Sequence, residues 1–211
     1  MNKMYLSLLM ALMIVAGCVS DYGDGNVSKG SDYYLNGEYE NAEMELRNAL
    51  NKELAIYTKK ELFTILGNVY NEMNEFDSSI VYHKKALAID SNYVDALVNL
   101  GIVYRLTAEF DLAEKYYMKA MMVNPNDPEL HASLGALNIY RGEIDKAIES
   151  LERSIELNPQ LAVTHSNYAL ALAMNGNFEK AEKELTKAVA LGYKNGDIIK
   201  ESIEELKQLG D

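Results

Sequence analysis

The chain has 211 residues, 48% hydrophobic and 25% charged, values normal for a folded soluble body with room for a core. A formal charge of −12 repels nucleic-acid phosphates and anionic lipid head groups, which argues against a nucleic-acid partner and excludes a polybasic membrane contact. A single cysteine excludes an intramolecular disulfide and a cysteine cluster for zinc or iron–sulfur, while 3 prolines, no tryptophan and abundant Ala, Leu, Glu and Lys favour helix over strand.

The first segment reads as an address. Lys3 is the only side-chain charge before Asp21, and a mostly apolar run follows it from Met4 to Ala16. As a helix that run reaches roughly 20 Å, short of the ~30 Å hydrocarbon core, so a secretory signal peptide is expected rather than a spanning helix. Val15-Ala16-Gly17 stands directly before Cys18 and resembles the lipobox of prokaryotic lipoproteins. That resemblance implies cleavage after residue 17 and a diacylglyceryl group on Cys18. It also implies an extracytoplasmic protein held at a membrane, the outer membrane facing the periplasm where the source has two. Two or more acyl chains make a stable anchor where one is marginal. The alternative is an uncleaved anchor helix with an incidental cysteine. Residues 18–26, polar and Gly-rich, read as a flexible tether; Asp21 to Gly25 lacks the ligand spacing of a calcium loop.

From there the chain repeats. Gly67, Gly101, Gly135 and Ala169 step by 34 residues, preceded by Leu66, Leu100, Leu134 and Tyr168. Ser79, Ala113, Ala147 and Ala181 follow twelve later, and Ala86, Ala120, Ser154 and Ala188 nineteen later. Phe76, Phe110, Ile144 and Phe178 share a further position. Gly30, Tyr33, Tyr39, Ala42 and Ala49 extend the pattern backward after an insertion in the 51–58 connection. Small residues let two helices approach closely, Asn36-Gly37, Arg141-Gly142 and Asn175-Gly176 break each pair, and Asn124-Pro125 and Asn158-Pro159 end the second helices. One pair cannot bury its apolar face, so neighbours must stack. Ile199, Ile203, Leu206 and Leu209 at helical spacing predict a closing amphipathic helix.

These positions resemble the tetratricopeptide repeat, most clearly over residues 94–127, where Leu97, Leu100, Gly101, Tyr104, Ala113, Tyr117, Ala120 and Pro125 stand at signature sites. Ser79, His83, Asn138 and Tyr193 depart from the pattern. The resemblance implies an all-α, right-handed superhelical solenoid of about five helix-turn-helix repeats. Their expected spans are 23–56 (degenerate), 60–93, 94–127, 128–161 and 162–195, with a capping helix at 196–211. It further implies that the first helix of each repeat lines a concave groove for other proteins or peptides. Carried onto this sequence, the groove positions are Thr64, Asn68 and Asn71; Asn99, Ile102 and Arg105; Ser133, Ala136 and Tyr140; and Asn167, Leu170 and Met174. Asn68 matches one position of a carboxylate clamp of the chaperone-binding kind, but its lysine and arginine positions are not matched, because Val27, Thr64 and Val98 occupy the fifth sites and Asn99 and Ser133 the sixth.

No catalytic constellation is visible. His83, His131 and His165 stand at packing positions without a third ligand at metal spacing, and the carboxylates fall on exposed helical faces. The expectation is a lipid-anchored interaction scaffold, without cofactor, metal or small-molecule substrate, in cell-envelope assembly such as that of pili or the outer membrane. Its rivals are a cytosolic or helix-anchored adaptor or co-chaperone, and an enzyme or metal carrier built on the histidines.

Overall fold

A computed structural model describes residues 22–210; the expected signal peptide (1–17) and Cys18 lie outside the described residues. The described chain is all helix and turn. Its helices are α1 (Asp24–Leu35), α2 (Tyr39–Ala49), α3 (Lys59–Glu72), α4 (Phe76–Ile89), α5 (Val94–Leu106), α6 (Phe110–Val123), α7 (Pro128–Arg141), α8 (Ile144–Leu157), α9 (Ala162–Met174), α10 (Phe178–Ala190) and α11 (Gly196–Gly210). They form two compact units, residues up to 82 and residues from 83 onward.

In the first unit α1 packs on α2 and α2 on α3 around Val27, Leu46, Leu62, Leu66 and Val69, all fully buried. The inserted connection after α2 is held by Asp24, whose carboxylate accepts from the backbone N–H groups of Ala55, Ile56 and Tyr57 at 2.8–3.0 Å. Those bonds hold the Asp24 carboxyl below its ordinary range, the one from Tyr57 foremost. They also place Asp24 in the first turn of α1, so the last three residues of the expected tether, 24–26, are helical. Thr58 then starts α3 with a reciprocal cap: its side chain takes the Glu61 N–H while Glu61 takes the Thr58 N–H.

In the second unit three hairpins, α5–α6, α7–α8 and α9–α10, stack in chain order, and α11 lies across α9 and α10. Small residues set the spacing. A methyl group on Gly101 would stand 2.4 Å from the Tyr117 ring, and one on Gly135 2.5 Å from Leu151, so each glycine seats a large side chain of its partner helix. Asp127 caps α7 by accepting from Glu129 and Leu130, with Pro128 at the first helical position where no N–H is needed. Between repeats, Arg141 of α7 forks onto Asp111 (2.8 Å) and Glu114 (2.7 Å) of α6. The predicted lid is present: Ile203 of α11 is buried, with Ile199 and Leu206 packed against the same cluster as Leu172 and Leu185.

The turn inside each repeat has one geometry. Gly37, Asn74, Ala108, Gly142 and Gly176 occupy equivalent positions with φ between 60° and 78°. The next residue's N–H reaches back to Tyr33, Tyr70, Tyr104, Asn138 or Leu172, closing the first helix with the same six-to-one bond.

Candidate functional site

The first helices of the repeats carry the expected binding positions, which fall in both units. In the first unit, Thr64 is buried and spends its hydroxyl on Lys60 O (2.9 Å), leaving little to offer a ligand. Asn68 and Asn71 are half-buried, and Asn71 Oδ1 is buried without a hydrogen-bond partner.

In the second unit α5 lies beside α7 and α7 beside α9, so their binding positions share one face. Asn99, Ile102, Arg105, Ser133, Asn167 and Leu170 are half-buried there, Ala136 is buried, and Tyr140 and Met174 are exposed. Arg105 and Tyr140 come together: the guanidinium carbon sits 5.2 Å from the ring centroid, and Phe110 packs at 6.2 Å on the same ring. Beneath them the Tyr117 hydroxyl is buried, beside Arg105 and Ser133 but without a well-formed hydrogen bond. Burial pushes the Tyr117 phenol up from its ordinary value, which keeps it a neutral donor. Arg105 Nε and Ser166 Oγ are also buried and unpartnered.

Sequence reasoning did not place Tyr117 and Ser166 beneath this face, where both are fully buried. Ser166 stands at the fifth position of its repeat and could have been included from register alone. Tyr117 comes from a second helix, and its ring packs against Gly101.

The histidines do structural work here. His131 Nε2 donates to Pro125 O (2.9 Å) and His165 Nε2 to Pro159 O (3.0 Å), the same bond one repeat apart, each tying a first helix to the connection before it. His165 Nδ1 also meets Glu184 Oε2 at 2.7 Å. Burial would raise the Glu184 carboxyl, but hydrogen bonds from Lys187 and His165 outweigh it and hold the group below its ordinary value. Among the described residues no cluster of three or more His, Cys, Asp or Glu could hold a metal, and no helix is long and apolar enough to cross a membrane.

Family comparison agrees with this geometry. A model described as TPR repeat matches residues 67–106, and two described as tetratricopeptide repeat match 94–127 with 128–161, and 150–183. The chain is a tetratricopeptide repeat protein. Its fold is similar to that of TTC0263, a thermophilic TPR protein of Thermus thermophilus, at 20% identity and TM-score 0.74 over 88% of this chain and 99% of that one. A tetratricopeptide repeat protein of Parabacteroides merdae is 21% identical, with TM-score 0.63 over 87% and 72% of the two chains. MamA of Desulfovibrio magneticus is 17% identical, with TM-score 0.61 over 83% and 97%. No curated protein matches the sequence.

Proposed function

We propose that this protein is a membrane-held interaction scaffold. A lipid on Cys18 anchors it outside the cytoplasm, and the first-helix face of the second unit binds an extended or helical polypeptide of a cell-envelope assembly. The observation that carries the binding role is the pair Arg105 and Tyr140. A guanidinium set over an exposed ring gives one surface both a polar group and an apolar face, the mixture that a polypeptide requires. The anchor rests on Val15-Ala16-Gly17-Cys18 following a basic start and a short apolar run.

Two measurements test the two halves separately. Changing Asn99 and Arg105 to Ala should weaken crosslinked capture of the native partner by about tenfold or more, the scale of losing one hot-spot side chain; undiminished capture would move the site elsewhere. Mass spectrometry of the mature N-terminus should find an acylated Cys18, and Cys18→Ser should keep residues 1–17. An intact amino end on the wild-type chain would remove the anchor from the proposal.

A further inference from the structure

The repeats differ most on the side where the two helices of a hairpin meet. In the second repeat Tyr70 of α3 and Tyr82 of α4 stack with centroids 5.3 Å apart and planes at 14°. Phe63 lies 6.1 Å from Tyr82, and Arg47 of the preceding hairpin donates to the Tyr70 hydroxyl at 3.1 Å. The third repeat does the same with Tyr104 and Tyr116, 5.5 Å apart at 13°, and Lys84 lies 5.8 Å from the Tyr104 ring. A pair of stacked rings with a cation at its edge is therefore this fold's own filling for the place.

The fourth repeat lacks all of it. The residues in register with Tyr70 and Tyr82 are Asn138 and Ser150, His131 replaces Phe63, and Met118, exposed, replaces the cation. Ser150 folds its hydroxyl back onto Lys146 O (2.9 Å). In the fifth repeat Leu172 and the buried His165–Glu184 pair close the space, whereas in the fourth a cavity of about 500 Å³ remains. His131, Asn138 and Ser150 all line it, together with Leu134 and Met121. Its rim is charged, carried by exposed Lys146, Glu149, Glu152, Arg153 and Glu156 of α8. The volume lies within the range of small-ligand pockets.

We propose that this cavity is a second binding site, which receives an aromatic side chain of a partner polypeptide, on the second-helix side rather than the first-helix face. The occupant is identified by the chain itself: two sister repeats fill the equivalent place with phenol rings. Met121 and Leu134 offer soft apolar contacts to a ring, and the charged rim suits the flanking backbone of a polypeptide.

Chemical-shift mapping on the full chain tests this with three probes: N-acetyl-Ala-Tyr-Ala-amide, its Ala-Ala-Ala counterpart, and p-cresol. The tyrosine peptide should shift the Asn138 side-chain amide and the Met121 methyl, with ring-to-methyl Overhauser contacts. It should bind roughly tenfold or more tightly than the alanine peptide, as burial of one ring implies, and more tightly than p-cresol. Asn138→Tyr with Ser150→Tyr, which rebuilds the stack of the sister repeats, should abolish these shifts while circular dichroism stays helical; Ser150→Tyr alone is the milder filling. Equal shifts with the alanine peptide, shifts centred on Asn99 and Asn167, or undiminished binding to a folded filled variant would overturn the site. Tighter binding of p-cresol than of the peptide would overturn the polypeptide occupant. The Overhauser contacts on the unaltered chain decide the matter even if both filled variants fail to fold.

Discussion

His83 stands where three other repeats carry Leu46, Leu151 and Leu185, and it is fully buried with neither ring nitrogen hydrogen-bonded. Burial pulls its pKa from 6.5 down to about 4. Between those two values the unfolded chain takes up a proton that the folded chain refuses. Stability contributed by the neutral ring is therefore complete above the unfolded value and is lost as pH falls from about 6.5 toward about 4, by on the order of 3 kcal/mol. His83→Leu should abolish that slope and raise stability, since a leucine leaves no buried nitrogen unsatisfied. Urea melts across this pH window would check it, and an unchanged slope in the variant would assign the acid sensitivity to another group.

At the scale of the element, the turn inside each repeat demands a left-handed residue, and the chain meets that demand unevenly. Gly37, Gly142 and Gly176 adopt it freely, while Ala108 holds φ at 60° against the clash of its own Cβ. Ala108→Gly should stabilise the second unit by about 1 kcal/mol, and Gly142→Ala should cost a similar amount, both readable as shifts in thermal midpoint. The helices themselves were legible because close contacts force small residues into a fixed step: Gly101 can only be glycine against Tyr117. The lid was legible from Ile199, Ile203 and Leu206. The tether's end was not, because Asp24 is drawn into α1 by backbone groups 31 to 33 residues away. The expected groove positions follow from register alone, but burial of Thr64 and Ala136 and the orphaned Tyr117 hydroxyl depend on how neighbouring helices close. The cavity was half visible: Asn138 stands out against Tyr70 and Tyr104, but Ser150 sits where the repeat pattern prescribes no residue type.

Across the whole molecule, stability in such a chain is a sum over repeats and the joints between them. Two of those joints carry the same bond, His131 to Pro125 O and His165 to Pro159 O, with donor and acceptor six residues apart in each case. The joints are therefore interchangeable parts. Excising residues 128–161 would splice Asp127 to Ala162 and set His165 six residues after Pro125, so the shortened chain should knit the same latch with a carbonyl it has never met. It should unfold cooperatively with only one module's worth of lost helix, as calorimetry and circular dichroism would record. Cutting three residues further, through 164, would put the imidazole out of reach of that carbonyl, and the spliced chain should melt earlier. Gain and loss of whole modules without redesign of the junction is thus written into a single ring nitrogen.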